Sequence, residues 1–186
     1  AAIFVDGRYT LQVGTQVDTA TFKPVHLADQ TPSKWLAANL VKGDRIGFDP
    51  WLLTAAQAKS FAEICTAAGA ELVAAVPNPL DAVWTDRPAS PLGQVSLQPM
   101  EFAGETAASK LEWLKAALAD KKADTAVITQ ADSVAWMLNI RGADIAHNPV
   151  PLAYALLHRD RQPQLFIDSR KLSNSVRTEL AAIADI

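Results

Sequence analysis

The sequence predicts an α/β fold built as two successive units, and three observations lead there. Short β-branched or aromatic runs alternate with helical apolar stripes from Ile3 to Val76, and again from Thr106 to the last residue. Five of the eleven prolines fall between Pro77 and Glu105 and interrupt that alternation. A chain of 186 residues, 49% hydrophobic and 20% charged, has enough apolar content for a packed core and length for one domain or two small ones.

The elements follow in order. Ile3-Phe4-Val5 reads as a strand closed by the turn Asp6-Gly7, with a short helix expected from Arg8 to Gln16. Thr21 to Leu27 is a second strand. Thr31 then caps a helix with Pro32 in its first turn and Trp35, Leu36 and Leu40 on one side, ended by Lys42-Gly43-Asp44. Arg45 to Asp49 is a strand. Thr54 and Gln57 have capping-box spacing for a helix whose Ala58, Phe61, Ala62 and Cys65 share a face, and Gly69 sits at its C-terminal cap. Glu71 to Val76 completes the first unit. The stretch 85–105 reads as a proline-rich connector, and Trp84, Leu92 and Leu97 argue that it is packed rather than a free tether. In the second unit, Thr106 to Asp120 is a helix with Leu111, Leu114 and Leu118 inward, and Thr125 to Thr129 is a strand. Asp132-Ser133 is expected to cap a short helix through Leu138. Leu152–His158 and Gln164–Asp168 form an antiparallel pair, and Ser173 opens a helix carrying Val176, Leu180 and Ile183. A strand beginning almost at residue 1 and a last helix with no strand to receive it suggest that the chain is cut from something longer.

Several function classes are excluded by what is missing. The net charge is −3 with no block of like charge, which disfavours a phosphate-tracking nucleic-acid binder. A single cysteine forbids an internal disulfide framework and a multi-thiolate metal site. No apolar run approaches the roughly 20 residues that span a bilayer, and no basic-then-apolar signal segment opens the chain. The eight glycines are dispersed, so no phosphate-cradling loop is present. His26, His147 and His158 lack metal-ligand spacing and read as structural or surface residues. Cys65 reads as a small buried hydrophobe.

Two polar clusters remain. Asp6-Gly7-Arg8-Tyr9 directly follows a strand, where α/β ligands dock, and a guanidinium there suits a carboxylate or a carbonyl. The same residues allow a plain structural reading in which Asp6 simply holds Arg8. The second cluster, Asn139 to Asp144 with His147-Asn148-Pro149, has the composition of a self-bonding loop in which Gly142 and Asn148 supply unusual backbone angles.

The residues of these clusters carry a resemblance. Phe4-Val5-Asp6-Gly7-Arg8-Tyr9 with Gln12 resembles the D-G-R-Y-x-x-Q segment of the cytosolic three-domain Xaa-Pro aminopeptidases (aminopeptidase P). Ile46-Gly47-Phe48-Asp49-Pro50 continues the likeness, and Trp84-Thr85-Asp86-Arg87-Pro88 fits the W-x-D-R-P pattern at the end of that family's first domain. Asp132 to Asp144, with Asn148-Pro149-Val150, is similar to its most specific signature, and Leu165-Phe166-Ile167-Asp168 matches as well. Val5 stands where a threonine is usual, and the family's glycine-rich strand segment before residue 1 has no counterpart.

The resemblance implies two creatinase/prolidase N-terminal-like domains, each a mixed sheet flanked by helices and both truncated. Residues 1–84 would be the C-terminal part of the first, 85–105 the connector, and 106–186 the N-terminal part of the second. It implies a non-catalytic portion of a cytoplasmic, homodimeric metallopeptidase that removes the N-terminal residue from peptides with proline second. Arg8 would contact the peptide. The two divalent ions, usually manganese, would belong to a C-terminal pita-bread domain, with no metal or catalytic residue in residues 1–186. No nucleic-acid or membrane partner is implied. The alternatives are a creatinase or prolidase relative, or a binding module of a pita-bread protein without metal ligands, as in histone chaperones.

Overall fold

The computed structural model describes residues 1–186, which fall into two compact units, Ala1–Arg87 and Pro88–Ile186. The first unit runs β1 (Ala2–Val5), a 3-10 turn at Gly7–Tyr9, α1 (Thr10–Gln16), β2 (Lys23–His26), α2 (Pro32–Asn39), β3 (Arg45–Phe48), α3 (Ala55–Ala68), β4 (Glu71–Ala74) and α4 (Pro79–Val83). β1 pairs with β2 and β3 with β4, both parallel. Each pair is joined through a helix, α1 in one and α3 in the other, as a parallel connection requires. The two pairs are not bonded to each other. Phe4 and Trp35 meet edge to face at 6.3 Å, so β1 leans on α2.

Local chemistry sets the ends of these helices. The Thr54 hydroxyl accepts from the Gln57 amide and the Gln57 side chain accepts from the Thr54 amide, which is the capping box read from the sequence. Gly69 takes φ 69° and ends α3 in the left-handed region. Thr31 caps α2 through the Lys34 amide with Pro32 in the first turn. Cys65 is a buried thiol facing inward, as its place on the apolar stripe predicts.

The second unit contains β5 (Ser96–Leu97), α5 (Met100–Ala103), α6 (Ala107–Asp120), β6 (Thr125–Ile128), α7 (Ala131–Met137), β7 (Ile140–Arg141), β8 (Tyr154–His158), β9 (Gln164–Phe166), a 3-10 turn at Ser169–Lys171 and α8 (Asn174–Ala181). β6, β8 and β9 form an antiparallel sheet in that order, and β5 pairs with β7, also antiparallel. The principal hydrophobic cluster lies here. It joins Leu111 and Leu118 of α6, Val134 and Ala135 of α7, Leu157 of β8, Leu165 of β9 and Leu180 of α8. By contrast, the buried apolar side chains of the first unit are Val13, Val25 and Cys65.

Several expectations are corrected. Neither unit forms the mixed sheet that the resemblance implies. Helical crossovers make the first unit's pairs parallel, while the short link from His158 to Gln164 makes β8 and β9 antiparallel. A single parallel bridge, Gln164 to Asp185, touches that second sheet. Asp132 and Ser133 lie inside α7, whose cap position is Gln130 with no side-chain bond. The helix expected from Arg8 opens as a 3-10 turn. The stretch 88–105 is counted within the second unit, because β5 pairs with β7 and Val95 is 5% exposed in the core. Val95, and not the three residues singled out from the sequence, anchors it. Trp84, Leu92 and Leu97 are 49%, 40% and 41% exposed.

Gly142 is required by a close approach and not by its dihedral angles. A Cβ built there would lie 2.5 Å from the nitrogen and 2.7 Å from the Cα of Pro151. Gly14, inside α1, would meet nothing within 4 Å. Gly142→Ala is therefore expected to destabilise the second unit by about 2 kcal/mol or more, through overpacking against rigid backbone. Gly14→Ala should be neutral or slightly stabilising. Urea unfolding followed by tryptophan fluorescence distinguishes the two.

Candidate functional site

Strand β1 delivers the first polar cluster. Asp6 leaves the strand with extended backbone and caps the 3-10 turn, its Oδ1 accepting from the Arg8 amide at 2.9 Å. The Arg8 guanidinium folds back onto the same carboxylate, Nε to Oδ1 at 3.1 Å and Nη2 to Oδ2 at 2.6 Å. It also stands 5.7 Å from the centroid of the Tyr9 ring. The bonds from the Arg8 side chain and then from its amide hold the Asp6 carboxyl down at about 2, so the pair stays ionic at neutral pH. The Arg8 side chain is 81% exposed, so this ion pair lies open to solvent. Tyr9 and Gln12, from the same motif, line a groove of about 150 Å³ with Ile3, Val5 and Val13.

The second cluster is an internal frame. Asn139 takes φ 52°. Its Oδ1 accepts from Lys110 Nζ at 2.7 Å and its Nδ2 donates to the Glu105 carbonyl at 2.7 Å. Lys110 also donates to the Trp136 carbonyl at 3.0 Å and sits 4.4 Å from the centroid of the Trp136 ring. Burial pushes the Lys110 ammonium down, with Glu105 acting in the opposite sense. Asp144 is enclosed: Oδ1 accepts from the Gly93 amide at 2.9 Å, and Oδ2 accepts from the Leu152 amide at 2.7 Å and Lys171 Nζ at 2.6 Å. Burial alone would raise the Asp144 carboxyl, but the Lys171, Leu152 and Gly93 donors together hold it below its ordinary value. The left-handed positions are Asn139 and His147, not Gly142 and Asn148 as the composition suggested. A short polar side chain suits that region without needing glycine.

The histidines do not converge. His158 is buried between Thr125 Oγ1 at 2.9 Å and Gln164 Oε1 at 3.1 Å, a satisfied core position. No three histidine, cysteine or acidic side chains come together to hold a metal ion. An apolar cavity of about 330 Å³ in the first unit is lined by Phe4, Trp35, Phe48, Phe61 and Leu72, with Asp49 on its wall. The Asp49 oxygens are already engaged by the Trp51 amide and by Asn78 Nδ2. That cavity therefore presents no free chemistry. No helix is long and apolar enough to cross a membrane.

Sequence reasoning marked Arg8 and the 139–149 loop but missed Lys110, Lys171 and Gly93. Lys110 had a signal: it falls three residues after Ala107 and beside Leu111, in the buried stripe of α6. Lys171 and Gly93 had none, since they meet Asp144 from 27 and 51 residues away.

Comparison with known proteins fits this geometry. Residues 86–185 match the Creatinase/Prolidase N-terminal domain family. The chain belongs to that family. The probable Xaa-Pro aminopeptidase P of Arthroderma gypseum is 37% identical over 183 residues, covering 97% of this chain and 29% of that protein. Aminopeptidase P2 of Arabidopsis thaliana is 36% identical, with 97% and 26% covered. The crystal structure of X-prolyl aminopeptidase from Caenorhabditis elegans, a cytosolic enzyme with a di-nuclear active site, superposes with a TM-score of 0.90 at 36% identity. It covers 100% of this chain and 31% of the nematode enzyme. The chain thus spans under a third of the length of these relatives, and its resemblance to the Xaa-Pro aminopeptidases extends along nearly its whole length.

The Asp144–Lys171 pair, with side chains 0% and 5% exposed, generates a stability prediction. Asp144→Asn leaves Lys171 buried without its counter-charge and should cost about 3 kcal/mol or more at pH 7. The folded carboxyl titrates below the unfolded one, so its contribution is complete above the ordinary aspartate value of about 4 and is lost as pH falls through the folded value. The stability gap between wild type and Asp144→Asn should therefore narrow towards pH 3. Urea unfolding at pH 7 and pH 3 checks both parts.

Proposed function

We infer that this chain is the non-catalytic N-terminal portion of a metal-dependent aminopeptidase that releases the N-terminal residue from peptides with proline second. The observation that carries this reading is the Asp6–Tyr9 motif at the end of β1. It presents an exposed guanidinium in a chain that matches Xaa-Pro aminopeptidases from end to end. Residues 1–87 and 88–186 are read as parts of two creatinase-like domains, with the proline-rich stretch after Arg87 belonging to the second. Hydrolysis belongs to a further domain holding two divalent ions, with manganese the expected metal. The full-length enzyme is read as a cytoplasmic homodimer. This part shapes the substrate site and supports assembly.

Arg8 is the residue assigned to the peptide. Its planar donors suit parallel bonds to oxygen acceptors, a geometry that the single ammonium of lysine does not reproduce. In the full-length enzyme, Arg8→Lys is expected to lower kcat/KM by about tenfold or more. The melting temperature should hardly change, because exposed ion pairs contribute little to stability. A lower melting temperature with unchanged kcat/KM per folded molecule would show instead that Arg8 is structural.

The 186-residue chain alone is expected to hydrolyse no Xaa-Pro peptide when manganese is added. Turnover that survives further purification of the isolated chain would overturn the division of labour proposed for the two parts.

A further inference from the structure

The device that holds Arg8 occurs twice in this chain. Phe4-Val5-Asp6-Gly7-Arg8 has a counterpart in Phe166-Ile167-Asp168-Ser169-Arg170. Each segment leaves a strand, β1 or β9, and enters a 3-10 turn that its aspartate caps. Asp168 Oδ1 accepts from the Arg170 amide at 3.0 Å, as Asp6 does from the Arg8 amide at 2.9 Å. The Arg170 guanidinium folds back in the same manner, Nε to Oδ1 at 2.9 Å and Nη2 to Oδ2 at 2.5 Å. One pairing borders a parallel two-stranded pair and the other an antiparallel sheet. The arrangement is therefore a property of the Asp-x-Arg sequence and of the strand before it, and not of its surroundings.

A guanidinium has two edges that can make parallel bonds: a side edge formed by Nε and one Nη, and an end edge formed by the two Nη groups. Asp6 occupies the side edge of Arg8. The Nη1 donors make no bond within the chain, and the side chain is largely exposed, so the end edge faces outward. The pair is also neutral as a unit. An incoming carboxylate meets the negative Asp6 beside the donors, whereas a peptide carbonyl accepts the same bonds without that repulsion.

Resting on the reading of Arg8 as a substrate contact, we propose that Asp6 is a positioning residue. It fixes the end edge of Arg8 for the neutral carbonyl groups of a peptide and biases the site against free carboxylates. Asp6→Asn retains a capping oxygen for the Arg8 amide, because asparagine caps as well as aspartate. It removes the charge and the second acceptor.

The test uses the full-length enzyme and two tripeptides with proline second, one with a free C-terminal carboxylate and one with a C-terminal amide. Asp6→Asn should lower kcat/KM for the amide by about fivefold and raise the acid-to-amide ratio several-fold, with an unchanged melting temperature. Asp168→Asn should change neither substrate. An effect of Arg8→Lys together with no effect of Asp6→Asn, or with an unchanged acid-to-amide ratio, overturns the positioning role and leaves the Arg8 reading standing. No effect of Arg8→Lys on either peptide overturns the reading on which it rests. On the 186-residue chain itself, the Arg8 Nε–H should exchange with solvent more slowly than in Asp6→Asn, as read by NMR. Equal exchange in the two proteins would show that the pinning is absent.

Discussion

The second unit depends on one buried carboxylate. Asp144 gathers donors from Gly93, Leu152 and Lys171, three segments that no regular ladder joins to one another. Its bond to Gly93 also extends a strand register. β5 and β7 pair over only two residues each, Ser96 with Arg141 and Leu97 with Ile140. The Gln98 amide continues that antiparallel register at one end by donating to the Asn139 carbonyl, and Gly93 with Asp144 continues it at the other. A two-residue ladder is marginal by itself. A side-chain acceptor at one end and a left-handed asparagine at the other fix where it starts and stops. Such an ion pair adds little net stability relative to apolar residues, but its bonds are directional, so a misregistered loop would strand a charge.

This explains why a strongly polar sequence, Asn139-Ile140-Arg141-Gly142-Ala143-Asp144, runs through the best-packed part of the chain. Ile140 is fully buried, Gly142 lies against Pro151, and the polar members on either side are bonded within the unit. Lys110 serves the other end in the same way. Its ammonium satisfies Asn139 Oδ1 and the Trp136 carbonyl, while its stem runs along an apolar helix face. No buried side-chain nitrogen or oxygen is left without a partner.

What could be read from the sequence follows from the range of the interaction. The α3 capping box, the Gly69 cap, the inward leucines of α6 and the Cys65 position depend on residues three or four apart, and each appears in the structure as expected. The β8–β9 pair was legible because its connection is short. Features held by distant partners were not legible. β5 is too short to show a period, and it forms only because β7 and Asp144 receive it. The capping role expected of Asp132-Ser133 failed because α7 starts one turn-position earlier, at Ala131, and takes both residues into its first turn. The Asp6–Arg8 pairing lay within local reach, and it was one of two readings the sequence allowed. Composition alone did not choose between them.

The two aspartates show how one residue type serves opposite ends. Asp144 sits where water cannot replace its partners, so opening its pair leaves an uncompensated charge, and no ligand can compete for Lys171. Asp6 and Arg8 pair at the surface, so the pair contributes little to folding and the Arg8 Nη1 donors stay available to another molecule. Polarity in a motif is therefore a poor guide to function until burial is known. The longer and denser polar signature, from Asp132 to Val150, supplies architecture, while the four-residue Asp6–Tyr9 segment holds the charge that another molecule can reach. An exposed guanidinium at the end of a strand is within reach of another molecule, whereas a buried ammonium bonded on all sides is not.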